Sequence, residues 1–254
     1  MIARFDRILL ATAAGHALLA VLALVLLLVP APAITGVHPA LKPMKFAISI
    51  ALFLATMAVL VPHLALGTRA RQALVAVLVA TMIVEMIPIV VQALRGTSSH
   101  FNVASRLDAA LWRAMLVAIL ALTVTMLAVA VIATVRPLAG GREVTLAWRA
   151  ALWIFQLATV SGFLMGGRSQ HGVGGTDGGP GLPLVGWSTR HGDLRVAHFG
   201  ALHALQVLPV VAIAVAALPL TAAARAALVL LVIVAYAGVV VATLVQALHG
   251  RALL

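Results

Sequence analysis

The chain has 254 residues, of which 64% are hydrophobic and 9% charged, and its mean hydropathy is +1.18. A soluble domain carries about 25% charged residues, so this composition excludes a soluble enzyme and a disordered chain and is typical of a helical membrane protein. There is no cysteine, which excludes a disulfide framework, a thiolate metal site and a cysteine nucleophile. The net charge of +11 comes from basic residues at the ends of apolar runs. That pattern favours contact with lipid head groups and argues against nucleic-acid binding.

Seven apolar runs are each long enough to cross a bilayer core of about 30 Å as a helix. In chain order they are residues 9–29, 46–66, 73–94, 109–135, 146–166, 196–218 and 224–249. The runs are continuously apolar and show no alternation, which excludes a transmembrane β-barrel. We therefore predict an all-α polytopic membrane protein, with one transmembrane domain over residues 1–254 that contains about seven helices.

The first run follows Arg4 and Arg7. Its apolar core of about 20 residues is longer than the 7–15 residues of a secretory signal, so we predict a retained first helix. Basic residues are nearly balanced between the two sides of the membrane, but the loops of one side are longer and carry His, Asp, Ser and Trp. We assign that side to the exterior. The prediction is an inner-membrane protein with a cytoplasmic N-terminus and a periplasmic C-terminus.

Three long connections, residues 38–45, 95–108 and 167–195, fall on this exterior side. Connections of this length are uncommon unless they are functional or disordered, and both alternatives stay open for residues 167–195. The glycine-rich part of that loop, residues 172–181, lacks the Lys-Ser/Thr pair of a phosphate-binding loop.

Glu85 is the only acidic residue deep in any predicted span. Ionisable residues inside a span are costly and are therefore candidates for function. Pro88 follows three positions later, and Gln92 lies on the same helical face as Glu85.

The sixth span holds His198, His203 and Gln206. His203 and Gln206 are three residues apart and share a face, whereas His198 and His203 point about 140° apart on an ideal helix. The spacing of the two histidines differs from the i, i+4 pair of zinc-binding helices.

Depth along a helix follows from the rise of 1.5 Å per residue. Glu85, Gln156 and Gln206 are each expected about 15 Å from the loop-rich face, and His203 about 10 Å from it. We predict that these four side chains line one polar chamber that opens to the exterior.

The leading hypothesis is a metal-dependent membrane-embedded enzyme or a ligand-binding protein. The residues with predicted catalytic roles are Glu85, His203 and Asp193. The predicted metal ligands are His198, His203 and Glu85, because imidazole and carboxylate ligands suit zinc or iron, and such a metal activates water. The predicted ligand-binding residues are Gln92, Gln156, Gln206, His100 and Arg113.

Three alternatives stay open. Glu85 could be the titrating group of a proton-coupled transporter. His203 could serve a b-type haem or a quinone, with haem less favoured because no second histidine is expected at the same depth. The protein could also be an accessory subunit, since its Ala- and Gly-rich spans allow close helix contacts. The expected partners are the lipid bilayer, a small-molecule or lipid ligand, and a second copy or a membrane complex.

Overall fold

The computed structural model describes residues 4–34 and 36–254, with side chains from residue 7 onward, so the Arg4 side chain used in the orientation argument lies outside the described residues. Within these ranges seven helices are long and apolar enough to cross a membrane. They are α1 (Arg4–Leu26), α2 (Leu41–Leu60), α3 (Thr68–Leu94), α4 (Arg106–Val135), α5 (Arg142–Arg168), α6 (Leu194–Ala216) and α7 (Ala222–Leu248). The all-α polytopic fold and its seven spans are confirmed.

The helices begin two to five residues before the predicted apolar runs. Lys42 and Lys45 belong to α2, and Arg69 and Arg71 belong to α3. An apolar run stops at a charged residue, but a helix does not, because long basic side chains reach the head-group region from a helical backbone. The end of α2 is also earlier than predicted, since a 3₁₀ turn over Val61–His63 follows it.

The chain divides into two compact units, residues 1–126 and 127–254, and α4 begins in the first and ends in the second. The predicted single transmembrane domain stays a prediction. In the first unit α1 packs along α2, and both helices contact α3. Leu54, Met57 and Leu60 of α2 and Leu78 of α3 are fully buried and form part of its core.

In the second unit α5 and α6 make the most extensive contact, and α7 packs against both. Small buried side chains lie on both of these helices, with Ala151 and Ala158 on α5 and Ala201 and Ala204 on α6. Small residues let helix backbones approach closely, which replaces the missing hydrophobic driving force within a membrane. Only 11% of the most apolar window of α7 is buried, so this helix leaves most of its apolar surface exposed.

The long α5–α6 loop contains a short antiparallel pair, β1 (Gly172–Val173) and β2 (Gly192–Asp193). The backbone of Gly192 lies against the last turn of α7, where an added Cβ would be 2.0 Å from the carbonyl oxygen of Ala247. Val173, Leu194 and Ala247 form a small buried apolar cluster beside this contact. Residues 172–193, which we call the β1–β2 segment, are therefore held against the end of α7 through β2.

Candidate functional site

Glu85 lies nine residues before the end of α3 at Leu94, about 13 Å along the helix from its loop-facing end. The residue is 7% exposed. Its carboxyl group makes no hydrogen bond to any residue of the described ranges, and the cation whose charge acts on it is Lys42, in the first turn of α2. Glu85 thus lies within α3, the third span, as the apolar run predicted, and the structure adds its burial and the nearby charge of Lys42. Its predicted catalytic and metal-binding roles stay predictions.

His100 connects Lys42 to the α3–α4 loop. The Lys42 Nζ atom lies 3.1 Å from His100 Nδ1. An ammonium group only donates, so Nδ1 accepts and the ring proton of neutral His100 is on Nε2. The His100 ring packs between Phe46 and Trp112, with centroid distances of 5.5 Å to each. Glu85, Lys42 and His100 thus form a series of ionisable groups from the middle of α3 to the loop.

Gln92 is fully buried and closes the α3–α4 loop. Its Nε2 donates to Asp108 Oδ1 at 2.7 Å, and its Oε1 accepts from Arg95. Asp108 also accepts from Ser105 Oγ at 2.6 Å and pairs with Arg95. Both polar ends of the Gln92 amide are therefore engaged in holding the start of α4 against the end of α3. Its predicted ligand-binding role stays a prediction.

Asp193 caps the N-terminus of α6 from a buried position, 3% exposed. It accepts hydrogen bonds from the backbone N–H groups of Ser188, at 2.9 Å, and Arg195, at 3.0 Å. The Arg195 guanidinium also binds it, at 2.6 Å. Burial alone would raise the pKa of Asp193, but the His171 ring, whose Nδ1 lies 3.5 Å from Oδ1, and the hydrogen bonds and charge of Arg195 hold its pKa well below the usual range. The carboxylate therefore stays ionised at neutral pH, where it can orient a hydrogen-bonding partner but is a weak base and has no proton to donate.

His198 joins α6 to α5. Its Nδ1 lies 2.8 Å from the carbonyl oxygen of Ala158 and 3.1 Å from Ser161 Oγ. A carbonyl oxygen only accepts, so Nδ1 of His198 carries the proton. This histidine links two helices.

His203 has a different environment, as the predicted angle between the two histidines requires. Its Nδ1 lies 3.1 Å from Gln206 Oε1, so the two side chains share a helical face as predicted. Its Nε2 is buried and has no hydrogen-bond partner among the described residues. The ring packs on Phe199 at a centroid distance of 4.2 Å, and Phe199 packs on Trp187 of the loop. Trp187, Phe199 and His203 thus form a series of packed rings that runs from the loop into α6, with His203 farthest from the loop.

The remaining predicted site residues are engaged locally or exposed. Gln156 Nε2 donates to the carbonyl oxygen of Leu152, one turn earlier in α5. The Arg113 side chain lies on an exposed surface of α4. The predicted chamber combines Glu85 of the first unit with Gln156, His203 and Gln206 of the second, and it stays a prediction.

Within residues 4–34 and 36–254, no group of three or more His, Asp or Glu side chains is placed to hold a metal ion. Zinc and iron sites in proteins use at least three such ligands when thiolates are absent. The described residues therefore give the predicted zinc or iron site of His198, His203 and Glu85 no support.

The chain matches no protein-family model, and comparisons with curated proteins and with solved structures likewise found no match. What the fold defines is a multi-pass helical membrane protein.

Proposed function

We propose that the protein is a proton-coupled membrane transporter in which Glu85 is the group that binds and releases the proton. The observation that carries this proposal is the environment of Glu85. Its carboxyl group is buried in the interior of a membrane span, has no hydrogen bond to a described residue, and interacts with the charge of Lys42. Carboxyl groups in such positions mark ion and proton pathways in membrane proteins.

The chemistry of the three ionisable groups supports a proton pathway. A carboxyl group in an apolar span is stable as the neutral acid or beside a cation. The Lys42 ammonium can compensate the carboxylate when Glu85 releases its proton. His100 accepts a hydrogen bond from Lys42 and lies partly exposed in the α3–α4 loop, where an imidazole can pass a proton to or from water.

The test uses the purified protein in liposomes, with a pH-sensitive dye inside and a pH gradient across the membrane. Panels of amino acids, sugars, organic anions and organic cations are added in turn. We expect at least one class to drive proton movement, which Glu85→Gln abolishes and Glu85→Asp partly retains. Glu143→Gln is the matched control, because Glu143 is paired with Arg225 at 3.1 Å and lies at the end of a span. Proton movement that is equal in the wild type and in Glu85→Gln would overturn the proposal.

A second candidate function is ligand binding at His203, and the state of its ring favours it. With Nδ1 donating to Gln206, Nε2 offers a lone pair in a buried position where no described residue uses it. A histidine held in this tautomer by a neighbouring acceptor can bind a haem iron or accept a hydrogen bond from the hydroxyl of an aromatic ligand such as a quinol. Phe199 and Trp187 offer aromatic rings beside it.

Two titrations test this second candidate. Haem binding would give a visible absorption band that His203→Ala removes, and quinol binding would quench tryptophan fluorescence in the wild type but not in His203→Ala. His249→Ala is the matched control, since the ring of His249, the residue after α7, bonds among the described residues to the carbonyl oxygen of Val245 in that helix. If neither ligand binds, His203 has a packing role only.

A further inference from the structure

A cavity lies at the ends of α5 and α7 that are opposite the long loop. It has a volume of about 510 Å³ and opens to the surface between the first two turns of both helices. Its walls are formed by Arg142, Thr145, Arg149, Ala223, Ala226 and Ala227. We call it the basic cleft. It contains none of the residues discussed for proton or ligand binding above.

Two arginines give the basic cleft its charge. Arg142 and Arg149 are seven residues apart on α5, which places them on the same face, two turns apart. Arg149 Nε donates to the carbonyl oxygen of Ala133 at 2.8 Å, and one Nη donates to that of Arg136 at 3.3 Å. A guanidinium has five N–H donors, so these two bonds fix its position and leave others for a ligand. Arg142 is exposed at the start of the helix.

The nearby carboxylate does not neutralise both arginines. Glu143 is buried and pairs with Arg225 of α7 at 3.1 Å. That pair ties the starts of α5 and α7 together beside the cleft. Arg142 and Arg149 therefore leave a net positive charge on the wall of the basic cleft, and this charge favours binding of an anion.

The α7 wall of the basic cleft is apolar, and it continues into an exposed apolar surface of the same helix. Ala223, Ala226 and Ala227 leave room next to the arginines. Further along α7, Leu230 is 51% exposed, Leu231 64% and Val234 61%. A ligand that matches both parts has an anionic head and a long apolar tail.

The depth of the cleft in the membrane agrees with such a ligand. Helix α5 has 27 residues, a length of about 40 Å, against a hydrocarbon core of about 30 Å. Its first turns therefore extend into the head-group region, with Arg149 close to the boundary of the hydrocarbon. Basic pockets between helices at this level bind the head groups of anionic lipids.

We propose that the basic cleft is a binding site for one anionic phospholipid. Its phosphate lies between Arg142 and Arg149, and one acyl chain follows α7 past Leu230. The lipid would hold α5 and α7 together from the outside, next to the Glu143–Arg225 pair.

The test is native mass spectrometry of the full chain, delipidated in detergent and titrated with phosphatidylglycerol or phosphatidylcholine. We expect phosphatidylglycerol to bind more tightly, with Arg142→Gln weakening it about fivefold, the factor that corresponds to one arginine near an anionic surface. Ala227→Leu fills the cleft without removing charge and is expected to weaken the same lipid. Arg190→Gln, an exposed arginine of the long loop, is the matched control and is expected to bind like the wild type.

Other outcomes overturn the proposal. Equal binding of the two lipids, or equal binding by wild type and Arg142→Gln, would show that the cleft does not select an anionic head group. Displacement of the lipid by millimolar inorganic phosphate would assign the cleft to a soluble anion. A change from monomer to dimer on delipidation, reversed by Ala227→Leu, would assign the face to a second copy of the chain.

Discussion

Replacement of Asp193 by alanine should release the β1–β2 segment of the long loop from the rest of the second unit. The side chain caps α6, and loss of an N-cap costs about 0.5–2 kcal/mol. The Ser188 N–H is also left without its acceptor, which costs about 1–3 kcal/mol for a buried group. The Arg195 side chain is 29% exposed, so water can form most of the hydrogen bonds that its guanidinium loses with Asp193. These contributions together predict a local destabilisation of about 3 kcal/mol.

Trypsin cleavage after Arg190 measures this local opening, because Arg190 is exposed and lies in the loop between Ser188 and Asp193. When opening and reclosing are fast compared with cleavage, the cleavage rate follows the population of the open form. A loss of about 3 kcal/mol then predicts cleavage that is roughly a hundredfold faster. Asp193→Asn keeps one acceptor oxygen, so its cleavage rate should lie between those of the wild type and Asp193→Ala.

The control is Gly179→Ala, since an added Cβ at that exposed position of the same loop has no atom within 4 Å. Cleavage of this variant should match the wild type. The reasoning is refuted if Asp193→Ala is cleaved no faster than the control, because the carboxylate would then contribute nothing to holding the loop.

Three further predictions concern the second unit. Gly192→Ala should also accelerate cleavage, because its Cβ would meet the Ala247 carbonyl oxygen at 2.0 Å, whereas Gly238→Ala, with open space around it, should not. Ala201→Leu should lower the free energy of unfolding by about 1–3 kcal/mol through overpacking, measured by denaturation in mixed micelles; an unchanged midpoint would show that the α5–α6 contact is loose. The depressed pKa of Asp193 means that its contribution to stability is present above its unfolded pKa of about 3.9 and is lost as the pH falls through its lower folded pKa. Thermal unfolding should therefore show a difference between wild type and Asp193→Ala that is constant from pH 5 to 8 and shrinks below about pH 4.

The spans could be predicted because a bilayer imposes a length and a composition on every helix that crosses it. The same rule singled out Glu85, since a carboxyl group in the middle of such a run is conspicuous. The helical period correctly placed His203 beside Gln206 and directed His198 elsewhere. These predictions succeed because they depend on residues within one helix.

Contacts between distant parts of the chain could not be predicted in this way. Gln92 and Asp108 are separated by a loop, and no periodicity links them, yet they form a direct hydrogen bond. Lys42 lies 58 positions from His100 and still contacts it. The sequence left open whether the loop of residues 167–195 is functional or disordered, and nothing in it showed that Gly192 lies where two backbones approach closely. In each case the deciding partner lies on another element.

The contact between Gly192 and Ala247 has a consequence for how the protein is made. Ala247 is synthesised about 55 residues after Gly192, which at 5–20 residues per second is a delay of roughly 3–11 s. Between its own emergence from the ribosome and that of Ala247, the β1–β2 segment therefore lacks the helix end that it rests on. The second unit can complete its assembly only when its last span has been inserted, so a nascent chain arrested before residue 247 should display a protease-sensitive loop.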